Sequence, residues 1–233
     1  MPSRKQSSYE LKSAGDRALL VDFGGPISEE TDLRVAAFVR ALRARRVQGL
    51  LAIQPAYTSV LLKFDPQALG PDSLARALPA PSTLELEAPS VRQHVIPVCY
   101  EGPLAPDLGE VARLTGLSRR RVIELHVSVT YRVSFLGFLP GFGYLGGLPE
   151  ALRVPRHAEP KLKVPAGSVG LADLQTGVYP LDSPGGWRII GRTPVALLDW
   201  KTDPPTLLSP GDRVRFEPVS LADFERLGGR WEP

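Results

Sequence analysis

The chain is poor in the residues that most often announce chemistry. It has one cysteine, Cys99, and three histidines, His94, His126 and His157. A single cysteine excludes an intrachain disulfide and points to a reducing compartment; Cys99 reads as a small packed hydrophobe. The histidines are widely spaced and no cysteine or carboxylate accompanies them at metal-ligand spacing, so no metal site is expected. No window approaches the roughly 18 apolar residues of a membrane span, and residues 1–16 carry basic groups with no apolar run behind them. A soluble, cytoplasmic chain with no membrane partner is the expectation. The net charge of +3 is small, and its basic runs, Arg40–Arg46 and Arg119–Arg121, fall on predicted helices. They read as solvated faces and make no case for nucleic acid. Asparagine is absent altogether, a bias without chemical content.

Glycine and proline, by contrast, are plentiful, with 22 and 24 copies. Gly141, Gly143 and Gly146 in GFGYLGG repeat the spacing of a dinucleotide-binding loop. Such a loop needs a strand before it and a helix after it, because the phosphates sit on the helix N-terminus. The following LPEALRVPRHAEP is broken by prolines 149, 155 and 160, so the fingerprint is rejected. No Gly-Lys-Ser/Thr exists for a P-loop, and Ser168 in AGSVG lacks both the spacing and the helix of a nucleophile elbow.

Periodicity divides the chain in two. The first part reads as a strand over 17–23, a helix from the Ser28 cap to about Arg46, strands over 49–54 and 57–64, and a helix over 72–78 stopped by Pro79 and Pro81. A last strand is expected between Thr83 and Val98. That β-α-β-β-α-β order predicts a ferredoxin-like α/β sandwich over about residues 1–88. The rest, 89–233, reads as a helix pair over 107–115 and 118–125 around Gly116. Short strands then follow at 131–139, 161–164, 168–171, 177–181, 187–191, 195–200 and 213–218, which suits a β-barrel. The overall expectation is an α+β chain of two domains. Polar and aromatic groups held between the glycines and prolines suit a small-molecule or peptide pocket.

The ordered stretches GDRALLVDFG, PAYTSVLLKFDP, IPVCYEG, VIELH and the dense run from FLGFLPGF to IIGRTP carry a resemblance to a known family. It is the family of the 5-oxoprolinase B subunit, the Kip-type kinase inhibitors and the proteins called allophanate hydrolase subunit 1. The resemblance spans nearly the whole chain. It implies a ferredoxin-like or related N-terminal domain followed by a cyclophilin-like barrel. It further implies a non-autonomous subunit that works with 5-oxoprolinase subunits A and C to open 5-oxoproline to glutamate with ATP. The competing implication is a binding module that inhibits a sensor histidine kinase. Without a Walker loop, ATP is expected mainly on a partner subunit.

On that basis Arg192 is expected to pair with the substrate carboxylate, with Thr176, Tyr179 and Ser183 also binding substrate. Gln175 would hydrogen-bond the lactam and His126 would move a proton, or else cap its helix. Phe138, Phe142 and Tyr144 are expected on a rigid turn beside the pocket or a partner surface. Lys161 and Lys163 stand where the family usually has arginine; lysine keeps the charge but cannot form a bidentate fork.

Overall fold

In residues 18–22 the apolar side chains alternate, burying Leu19 and Val21, and a strand forms there because only one face of its sheet is covered. The computed structural model describes residues 9–84 and 91–231. The chain divides into two units, Met1–Ser90 and Val91–Pro233.

The first unit comprises β1 (Glu10–Ser13), β2 (Ala18–Asp22), α1 (Glu29–Ala44), β3 (Leu50–Pro55), β4 (Ser59–Phe64) and α2 (Pro71–Ala77). Its antiparallel sheet runs β1-β2-β4-β3. Helix α1 starts where the Ser28 hydroxyl accepts the Thr31 N–H at 3.2 Å. It buries Val35, Phe38, Val39 and Leu42, the i, i+3, i+4, i+7 set, in one cluster with Val21, Val60, Leu62, Phe64 and, from α2, Leu74. Both helices therefore share one sheet face. The expected element order needs one correction. The strand found between Thr83 and Val98 belongs to the second unit, and the fourth strand of this sheet comes from the N-terminal side as β1. ELKS carries no sequence signal because all four residues are exposed; its main-chain ladder to β2 needs no apolar side chain. Residues 85–90 of the expected window lie outside the described residues.

The second unit contains β5 (Gln93–Cys99), α3 (Leu108–Thr115), α4 (Arg119–Val127), β6 (Thr130–Leu136), β7 (Gly143–Gly146), β8 (Lys161–Val164), β9 (Ser168–Ala172), β10 (Gln175–Val178), β11 (Ser183–Gly185), β12 (Arg188–Arg192), β13 (Arg213–Val219) and α5 (Leu221–Arg226). Seven strands close a barrel in the order β10-β7-β6-β13-β5-β12-β9, and β11 pairs with β8 as a separate ribbon. The barrel closes through β5 and β13, a parallel pair. These strands are far apart in sequence, so local signals could not join them. Helix α3 ends at Gly116, whose φ of 71° is the left-handed turn a glycine accepts without a Cβ clash.

Three local expectations change. The stretch 195–200 forms no strand; Leu198 and Thr206 make only an isolated bridge, and Pro194, Pro204 and Pro205 remove the donors a ladder would use. The C-terminal helix α5, capped by the Ser220 hydroxyl on the Asp223 N–H at 3.1 Å, adds an element to the expected set. In GFGYLGG only the first residues are a turn, with Gly141 at φ 81°; Gly143–Gly146 is barrel strand β7, placed between β6 and β10.

Candidate functional site

The barrel interior holds a closed polar chain. His126, at the end of α4, is fully buried and lies against the Phe216 ring at 4.7 Å in a stacked geometry. The Thr176 hydroxyl donates its one proton to the Gly170 carbonyl at 3.0 Å, so at 3.0 Å from His126 Nε2 it accepts. That fixes the Nε2–H tautomer and leaves Nδ1 to accept the Tyr100 hydroxyl at 2.8 Å. Burial pushes the imidazole down to about pKa 3, because no charge partner offsets desolvation. This geometry encloses His126 and Thr176, both expected at the substrate, within the packed interior. Both nitrogens of the neutral imidazole are engaged, by Tyr100 and Thr176. Together they tie α4 to β10.

Two clefts open at the two ends of the β8–β11 ribbon. One, of about 280 Å³, is lined by Phe138, Phe142, Tyr144, Tyr179 and Trp187, with Arg156 at its margin. Here the structure unites four of the expected residues. Phe142 is the hub, meeting Tyr144, Tyr179 and Trp187 edge-on with centroids 5.0–5.3 Å apart. Tyr179 is almost fully buried and burial raises its phenol to about 12, so it forms a neutral wall of the cleft. Phe138 differs: it is 60% exposed at a φ of 66°, a left-handed conformation costing a bulky residue on the order of 1 kcal/mol. Tyr144 sits on β7 itself, so the turn carries only Phe138 and Phe142.

The other cleft, of about 840 Å³, is lined by charged groups: Lys163, Asp182, Arg192, Glu225 and Arg230, with Trp231 beside them. Arg192 ends β12, and its Nε donates to the Ala166 carbonyl at 2.8 Å. The same Ala166 gives its N–H to Asp182 Oδ1 at 2.8 Å. One residue's main chain thus orients a guanidinium and a carboxylate. Burial lowers the Arg192 pKa and Asp182 partly restores it. Gly167, next in sequence, has φ 81° and no room for a Cβ against the Thr193 carbonyl. Its conformation turns the chain so that residues 166 and 192 meet.

The sequence pattern of the carboxyltransferase domain, subdomain C and D, matches residues 9–208. The chain belongs to this family. Over 228 residues it is 39% identical to the B subunit of 5-oxoprolinase from Bacillus subtilis, covering 93% of this chain and 95% of that one. Its identity to the 5-oxoprolinase B subunit of Escherichia coli O157:H7 is 43% over 205 residues, 88% of this chain and 93% of the relative. The crystal structure of TTHA0988 superposes with a TM-score of 0.76 at 43% identity, over 88% of this chain and 40% of that longer chain.

In this carboxyltransferase-domain chain Ser183 is the remaining expected residue set between the clefts, whereas Gln175, paired with Ala172 at the start of β10, lines neither. Ser183 opens β11 between Asp182 of the charged cleft and Pro184 of the aromatic one; among the described residues its buried Oγ has no partner, and neither does Gln175 Oε1. Lys161 does not face a cleft anion. Its Nζ holds Asp107 Oδ1 and Oδ2 at 2.7 and 2.6 Å, and Asp107 also accepts the Ile189 N–H at 2.7 Å. Burial alone would raise the Asp107 pKa, but Lys161, the Ile189 N–H and His157 together hold it below the usual range. Asp107, Glu110 and His157 bring potential metal ligands within 4.8 Å of one another, yet Lys161 and Arg188, the latter 2.6 Å from Glu110, already neutralise both carboxylates. Asp107 thereby fastens α3, β8 and β12 together. Sequence reading misses Asp107, Arg156, Arg230 and Trp231; only Asp107 has a signal, its place as a helix cap. The other three join the clefts through tertiary contacts alone. Ser168 lies inside β9 and Cys99 is fully buried, its thiol pushed up by burial; neither is placed as a nucleophile. Among the described residues no helix is long and apolar enough to cross a membrane.

Proposed function

We propose that the chain is the B subunit of an ATP-dependent 5-oxoprolinase, opening 5-oxoproline to glutamate together with the A and C subunits. The observation that carries this reading is identity of 39–43% along almost the whole length of both chains with proteins of that name in two distant bacteria. In this role Arg192 binds the substrate carboxylate. Its Nε is committed to Ala166, which leaves the terminal nitrogens as a fixed fork for a bidentate anion. Gln175, with its unpartnered Oε1, and Ser183 are the polar groups we assign to the lactam, and Tyr179 is the neutral wall of the adjoining aromatic cleft. ATP supplies the activation of the amide oxygen, and we place most of its site on a partner subunit. The barrel, read as cyclophilin-like, is the scaffold, and the first unit, read as a variant of the ferredoxin-like sandwich, completes the chain.

The test is reconstitution. The purified chain mixed with its candidate partners is expected to release glutamate from 5-oxoproline only with ATP. Arg192→Ala should raise the KM for 5-oxoproline by about 10–100-fold, the worth of a charge-assisted pair. Full activity and unchanged KM in that variant would remove Arg192 from the site, and no glutamate from the wild-type mixture would remove the enzyme reading. A second reading, inhibition of a sensor histidine kinase, draws on exposed Phe138 over the aromatic cleft. An aromatic side chain held out on strained backbone suits a contact anchor. Kinase autophosphorylation with and without the chain measures it directly.

A further inference from the structure

Among its described residues the charged cleft has more hydrogen-bond donors than acceptors to satisfy them. Among the described residues its two acids are engaged: Asp182 accepts the Ala166 N–H and stands 3.3 Å from Lys163 Nζ, and Glu225 accepts the Trp231 indole N–H at 3.0 Å. Its three cations are at most partly engaged. Arg192 uses Nε alone, and its terminal nitrogens have no hydrogen-bond partner among the described residues. Arg230 has none either, and Lys163 meets one carboxylate oxygen with a side chain that is 75% exposed. One substrate carboxylate offers two oxygens and saturates the Arg192 fork. The Lys163 ammonium and the Arg230 guanidinium then still face a cleft of about 840 Å³ with donors to spare.

From this imbalance we infer that the cleft is a phosphate subsite, in which Lys163 and Arg230 hold the terminal phosphate of a nucleotide or oligophosphate beside the carboxylate on Arg192. The inference rests on the ATP-dependent reading above and narrows it, giving this chain a direct share in the phosphate end of the nucleotide. Phosphate fits because it presents three acceptor oxygens to donors approaching from several directions. Lysine acts there as a mobile point charge and arginine as a fork. No glycine-rich loop is required, since side chains here do what backbone N–H groups do in a P-loop.

Calorimetric titration of the purified chain, and separately of the reconstituted complex, with ATP, tripolyphosphate and inorganic phosphate tests this. ATP and tripolyphosphate should bind with similar affinity, and phosphate should compete weakly. Lys163→Gln and Arg230→Ala should each weaken tripolyphosphate binding about 10–100-fold, while Lys163→Arg retains it. Neither side chain is part of the packed core, and thermal melts of the variants should overlay the wild type. ATP binding without tripolyphosphate binding, binding indifferent to both substitutions, or no binding by chain or complex would each overturn the inference. Glutamate release is scored separately: an active complex that binds no oligophosphate through Lys163 and Arg230 rejects the subsite alone, whereas an inactive complex rejects the enzyme reading.

Discussion

Replacing His126 by glutamine separates a buried structural imidazole from a catalytic one. In the folded chain the ring is neutral down to about pKa 3, while in the unfolded chain it titrates near 6.5. Below pH 6.5 the unfolded state therefore binds a proton that the folded state refuses. Stability rises with pH across this window and is lost as pH falls from 6.5 toward 3, by about 1.4 kcal/mol per pH unit, or on the order of 4–5 kcal/mol in all. Glutamine does not titrate. At pH 7 His126→Gln should cost roughly 2–4 kcal/mol, from the lost stack on Phe216 and disturbed bonds to Tyr100 and Thr176. By pH 4.5 the gap should narrow by about 2.7 kcal/mol. Urea unfolding at each pH, followed by tryptophan fluorescence, reads the right unit, since Trp187, Trp200 and Trp231 all lie in it. The two proteins share every other titrating group, so their difference isolates this one. A gap unchanged between pH 7 and 4.5, or an imidazole titrating near pH 6–7 by NMR, would refute the argument and return His126 to the list of proton carriers.

Asp107→Asn keeps the shape of the hub but removes its charge, and should cost about 1–3 kcal/mol at pH 7, the smaller end because Lys161 is one-third exposed and can turn to water. Since the native carboxyl titrates below the usual range, its contribution is complete above the unfolded value near 4 and is lost as pH falls through the folded one. The difference between wild type and variant in denaturant midpoints should therefore shrink in acid; a difference constant down to pH 2 would contradict the ion-pair account. Gly167→Ala adds a methyl group against the Thr193 carbonyl at a φ of 81°, and should destabilise the barrel by more than about 2 kcal/mol. A melting temperature within a degree of wild type would show that this turn tolerates a side chain.

Whatever depends on neighbours along the chain is legible in the residues themselves. Helix α1 follows from its Ser28 cap and the spacing of Val35, Phe38, Val39 and Leu42, strand β8 from KLKV, and the end of α3 from Gly116. Proline content after Gly147 is enough to reject a nucleotide loop in GFGYLGG, because that rejection needs only local backbone rules. The ordered motifs also carry the family. The rest depends on the folded chain. Strand β1 is held by a ladder to β2 that ELKS does not advertise, and the barrel closes by pairing β5 with β13 across more than a hundred residues. His126 looks reactive in sequence because any histidine does; its proton is settled by Tyr100, Thr176 and Phe216, which arrive from three other parts of the chain. Arg192 and Arg230 become one cleft only when β12 and the C-terminal segment fold onto the same face of the unit. Local rules fix backbone conformation, whereas burial, pKa and the sharing of hydrogen bonds depend on which distant groups displace water around a side chain, and only the tertiary fold supplies those groups.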